Sequence, residues 1–61
     1  MEHYRMFLKD STGQYTIPVI NSDTGLIIIF YSQEEAKLYA NICGYNEFLL
    51  VSSNAEILVN N

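Results

Sequence analysis

Residues 26–44 read Leu26-Ile27-Ile28-Ile29-Phe30-Tyr31-Ser32-Gln33-Glu34-Glu35-Ala36-Lys37-Leu38-Tyr39-Ala40-Asn41-Ile42-Cys43-Gly44, and a change of period inside this stretch decides the fold class. Leu26 to Tyr31 is apolar throughout and rich in β-branched residues, with no polar face at helical spacing. It reads as a strand, expected at the centre of a sheet. From Ser32 the pattern turns helical. Ser32 is an N-cap and Glu35 completes a capping box. Tyr31 is placed to staple onto Ala36, and Glu34 and Glu35 suit the positive end of the helix dipole. Gly44 is placed to end the helix in the left-handed conformation. The helix is then about 11 residues, or roughly 16 Å long. On its wheel Ala36, Tyr39, Ala40 and Cys43 form one stripe, Leu38 and Ile42 a second beside it, and Glu34, Lys37 and Asn41 lie opposite.

Outward from this stretch, turn signals cut the chain. Asp10-Ser11-Thr12-Gly13 and Asn21-Ser22-Asp23-Thr24-Gly25 combine Gly with residues that bond their own backbone, and Ser52-Ser53-Asn54-Ala55 is a weaker turn. Between them lie runs of strand length. Tyr4 to Lys9 alternates, with Tyr4, Met6 and Leu8 on one face and Arg5, Phe7 and Lys9 on the other. Tyr15 to Ile20 places Tyr15, Ile17 and Val19 together, and Pro18 makes it an edge strand or a bulged one. Phe48 to Val51 and Ile57 to Val59 follow the helix. The expected fold is α+β: a small antiparallel sheet, in the order β-β-β-α-β-β, with one helix packed on one face. Residues 1–61 form a single domain.

At 61 residues, folding buries only about 60% of the unfolded surface, so stability is thin. Chains of this size lean on disulfides, metals or partners. The lone Cys43 excludes an intrachain disulfide, and one His with one Cys cannot make the usual zinc ligand set, so no metal or cofactor is expected. Seven acids against three bases give a net charge of −4, which argues against nucleic acid and anionic membrane as ligands. It favours a basic or amphipathic protein surface as partner. No run approaches the ~20 apolar residues of a membrane span. Met1-Glu2-His3-Tyr4-Arg5 lacks the apolar region of a signal peptide, and with a lone thiol the expected compartment is the cytoplasm.

Three of the strand runs are apolar on both faces, whereas one helix covers one face of one sheet. A half-solvated sheet should alternate. Either the chain closes into a small barrel or a second apolar face is exposed, and exposed patches of several hundred Å² mark interaction sites. Ordinary edge exposure around a tight core is the bland alternative. Tyrosine is enriched at protein interfaces, and Tyr4, Phe7, Tyr15 and Tyr45 are the expected contact residues. The reading is a non-enzymatic protein-binding module. A structural homo-oligomer, dimeric or larger, assembling through an apolar sheet face or edge is the alternative, and an acidic nucleic-acid mimic a minor one.

Candidate chemistry is sparse. His3 lies in a terminus expected to fray and lacks a positioned partner. Cys43, near a helix C-terminus, reads as a small buried hydrophobe. Glu34 and Glu35 diverge by about 100° on the helix and do not form an acid/base pair. Asp23-Thr24-Gly25 echoes a calcium loop or an aspartic-protease triplet, but the other ligands or the second aspartate are missing, so it reads as a turn. No catalytic site is expected.

Phe30-Tyr31-Ser32-Gln33-Glu34-Glu35-Ala36, continued by Tyr39-Ala40 and Gly44-Tyr45, resembles the strand-cap-helix segment of small accessory proteins of tailed bacteriophages, over roughly residues 28–48. The resemblance implies an inhibitor or modulator of a host or defence protein, acting by steric occlusion in the host cytoplasm. It implies no particular functional residue.

Overall fold

The computed structural model describes residues 2–54 in full and residues 57–60 as backbone. Four strands and one helix succeed one another: β1 (Tyr4–Lys9), β2 (Tyr15–Pro18), α1 (Gln33–Cys43), β3 (Phe48–Ser52) and β4 (Ile57–Asn60). The strands form one antiparallel sheet in the order β2-β1-β3-β4. The α+β class, with one helix on a small antiparallel sheet, is therefore as the sequence indicates. Of the turn expected at Ser52–Ala55, Ala55 lies outside the described residues.

β2 is an edge strand, which suits Pro18, a residue that cannot donate to a ladder. The irregularity lies earlier than Pro18, between Leu8 and Lys9, where the register shifts so that Leu8 faces Ile17 and Lys9 faces Tyr15. This bulge corrects the expected alternation. Directly opposed residues share a face, so Tyr15 joins Lys9 on one side of the sheet and Ile17 joins Leu8 on the other. The cause is local. The Asp10 carboxylate accepts from the Thr12 amide at 2.8 Å, the Thr12 hydroxyl at 2.6 Å, the Gln14 amide at 3.1 Å and the Thr16 hydroxyl at 2.7 Å. These bonds hold the turn and the first residues of β2 in a bent path, as a bulge requires.

Leu26 to Tyr31 is not the central strand; β1 and β3 hold the centre. Among the described residues the run makes two isolated bridges, Ile20 to Ile27 and Tyr4 to Phe30. The reason is a shortage of edge. β3 occupies one side of β1. On the other, β2 pairs with Phe7 to Lys9, and the Val19 amide donates to the Met6 carbonyl at 2.9 Å. That leaves Tyr4, which exchanges two backbone bonds with Phe30 at 2.7 and 2.8 Å. The residues before Phe30 fold back on the chain instead. Asn21 donates to the Leu26 carbonyl and Ile28 to that of Val19, closing a short arm around Gly25, whose φ is 74°. His3, expected in a fraying terminus, is tied down as well: its carbonyl accepts from the Ser53 amide at 2.8 Å.

α1 keeps the bounds its sequence signals, with only the Ser32 half of the capping box formed among the described residues. The Ser32 hydroxyl accepts from the Glu35 amide at 3.0 Å. Gly44, at φ 78°, ends the helix in a Schellman arrangement: Tyr45 donates to the Ala40 carbonyl and Gly44 to that of Asn41. Ala36 and Ala40 are fully buried, and their small side chains let the helix approach the sheet closely. Beneath them lie Met6 and Leu50, opposite each other on adjacent strands and both fully buried, with Tyr4, Phe48, Phe30 and Val19 around them. Phe30 meets the ring of Tyr39 edge-on, 5.4 Å between centroids.

Candidate protein-binding surface

Among the described residues, no helix covers the sheet face away from α1. Arg5, Phe7 and Lys9 of β1 lie there, with Val51 and Leu49 opposite Arg5 and Phe7, and Pro18 and Tyr15 opposite Phe7 and Lys9. Phe7, Tyr15, Pro18, Leu49 and Val51 are half-buried, while Arg5 and Lys9 are exposed. The Lys9 ammonium sits 2.7 Å from Glu47 and 5.5 Å from the centre of the Tyr15 ring. Its pKa is raised, first by the hydrogen bond to the Glu47 carboxylate.

Only two of the four expected contact residues share this face, Phe7 and Tyr15. Tyr4 belongs to the core at 7% exposure, and its hydroxyl donates to Glu2 at 2.9 Å. Tyr45 packs against the core beside Tyr39, with ring centroids 6.5 Å apart.

The exposed large apolar side chains lie elsewhere. Ile17, Ile20, Leu26 and Ile27 project from the end of β2 and the arm that continues it, with Leu26 68% exposed. Leu38 and Ile42, 61% and 75% exposed, lie one turn apart on α1. At about 100° per residue they point away from Ala36 and Ala40, so the outward side of the helix carries a Leu and an Ile where charges are usual. The second stripe of the helical wheel signals this pair. The arm is not legible as a surface, because its apolar run looks like a core strand.

Tyr31, expected to staple onto Ala36, is 62% exposed and lines a shallow groove of about 580 Å³ with Glu2, Tyr4, Ser32, Gln33, Glu34 and Lys37. Cys43 is exposed, correcting the expectation of a buried thiol. It is the last residue of α1, and the reversal at Gly44 leaves it at the surface beside Tyr39. The thiol, and then burial, raise the Tyr39 hydroxyl above the ordinary phenol pKa.

The remaining polar motifs are structural. In Asn21–Gly25 the Asn21 side chain accepts from the Asp23 amide at 2.8 Å and the Thr24 hydroxyl from the Leu26 amide at 3.2 Å, so the Asp23-Thr24-Gly25 triplet shapes a turn. The hydrogen bonds to Asp10 hold its carboxyl well below the usual carboxylate range, those from the Thr12 and Thr16 hydroxyls foremost. Among the described residues, no three His, Cys, Asp or Glu side chains are grouped to hold a metal ion, and no helix is long and apolar enough to cross a membrane. Compared with protein-family models, curated proteins and solved structures, the chain matches none.

Proposed function

We propose that this chain is a protein-binding module that acts by occluding a surface of its partner. One observation carries the reading: Ile17 in β2 and Ile20, Leu26 and Ile27 on the arm that follows it are four large aliphatic side chains with between 38% and 68% of their surface in water. A chain of this size has few apolar residues to spare from its core, and large apolar side chains held in water along one short segment support an interaction site there. The arm's single charge is Asp23 at its tip, and the whole chain is at −4. A partner with an apolar cleft bordered by Lys or Arg fits that surface. The resemblance of residues 28–48 to phage accessory proteins makes a host or defence protein, met in the cytoplasm, the class of partner to test first.

The test is co-purification from cells expressing the tagged chain, comparing wild type with Leu26→Glu and Ile20→Glu. Both positions are exposed, so both variants should keep the wild-type circular dichroism spectrum. The reading expects a protein retained by wild type and lost from both variants. Equal retention by all three refutes the arm as the docking surface.

A further inference from the structure

The outward line of α1 and the open face of the sheet lie on opposite sides of the molecule and are complementary. Glu35, Leu38 and Ile42 are spaced i, i+3, i+7 and so share one side of the helix. All three are exposed, and the last turn of the helix carries no basic residue. The open sheet face has the inverse charge. It holds Arg5 and Lys9 on either side of Phe7, which is paired with Leu49; Lys9 is neutralised by Glu47 at 2.7 Å, so Arg5 carries the available positive charge. Among the described residues Arg5 makes no ion pair.

The spacings match. Arg5 lies about 6.6 Å from Phe7 along the strand, and Glu35 lies about 4.5 Å along the helix axis from Leu38. A helix laid with Leu38 over the Phe7–Leu49 pair therefore brings Glu35 within reach of Arg5. Each chain carries both halves of this contact on opposite sides. A sheet with a helix on one face gains a second helix on the other, which is how two-faced apolar sheets are ordinarily covered.

We propose that the chain associates with copies of itself head to tail, the Glu35–Leu38–Ile42 line of one copy docking on the Arg5–Phe7–Leu49 face of the next. Such a contact is heterologous, so it propagates rather than closing at a dimer. An 11-residue helix covers a small area, placing the contact among weak, transient interfaces under about 1,200 Å² in total. Association is then concentration-dependent, and salt weakens it by screening the Glu35–Arg5 pair. The arm used for partner binding takes no part.

The test is analytical ultracentrifugation of wild type, Ile42→Arg, Arg5→Glu and a 1:1 mixture of the two variants, up to about millimolar concentration. Both substituted positions are exposed, so folding is retained. Wild type should grow past dimer without a plateau. Each variant alone should lose at least about tenfold in association constant, as removal of a central interface contact does. The mixture should stop at a dimer, because the intact helix of the Arg5→Glu copy meets the intact sheet face of the Ile42→Arg copy. A second variant pair, Glu35→Arg combined with Arg5→Glu in one chain, should restore growth. A wild type monomeric throughout, a plateau at dimer, or a mixture that stays monomeric overturns the proposal. None of these outcomes touches the co-purification result at Leu26 and Ile20.

Discussion

Two alanine substitutions within one apolar run, Leu26→Ala and Phe30→Ala, should differ sharply in cost. Were the run a central strand, both would remove core packing. In the structure Phe30 is 2% exposed, doubly bonded to Tyr4 through its backbone and edge-on to Tyr39, whereas Leu26 is 68% exposed. Emptying a buried phenylalanine site costs about 3–5 kcal/mol, including the cavity left behind. The Tyr39 contact accounts for roughly 0.5–1.5 kcal/mol of the packing that is lost. At 0.05–0.15 kcal/mol per residue, a chain of this length is held by only about 3–9 kcal/mol. Phe30→Ala should therefore leave the protein barely folded, while Leu26→Ala should fall within about 0.5 kcal/mol of wild type. Urea unfolding followed by far-ultraviolet circular dichroism reads both. With a slope near 1 kcal/mol/M, a loss of 3 kcal/mol moves the midpoint by about 3 M. Equal costs at the two positions would refute the placement of the run, and a Phe30→Ala cost below about 1 kcal/mol would refute its role in the core.

The Asp10 carboxyl titrates below its unfolded value, so its contribution to stability is complete above the unfolded pKa of about 3.9 and is lost as pH falls toward the folded value. Asp10→Asn should lower the melting temperature at pH 7, and the gap from wild type should narrow steadily below about pH 4; a gap independent of pH contradicts the account of the turn. Ser32→Ala removes the N-cap and should cost about 1 kcal/mol in urea unfolding, while Gly44→Ala forces a Cβ into the left-handed region at φ 78° and should cost about 1–2 kcal/mol.

The parts of the fold governed by local chemistry were legible from the sequence. Ser32 and Gly44 bound α1 because a capping hydroxyl and a left-handed glycine act on their immediate neighbours. The alternation of β1 held because Tyr4, Met6 and Leu8 meet a real core. Pro18 marked an edge strand because a missing donor has the same effect in any sheet. What stayed hidden depends on competition between distant segments. Leu26 to Tyr31 has every local property of a central strand, yet β2, Val19 and β3 leave β1 only Tyr4 to offer it. The bulge at Leu8 and Lys9 depends on Asp10 collecting four donors, and it moves Tyr15 to the opposite face from Ile17. The surface followed the same rule. Leu38 and Ile42 were visible on a helical wheel, whereas the exposure of Leu26 and Ile27 follows from the lost competition for an edge. Among the tyrosines, composition suggested contact residues, but Tyr4 went to the core because its partner Phe30 sits there.

Site-specific photo-crosslinking tests the central claim most directly, with a photoreactive residue placed at Leu26 on the arm or, as a control, at the exposed Ser11 in the opposite turn of β2. In cells expressing each variant, the account predicts one discrete crosslinked protein from Leu26 and none from Ser11. Identical patterns from the two positions, or no adduct at Leu26, would contradict the assignment of the arm as a protein-docking surface.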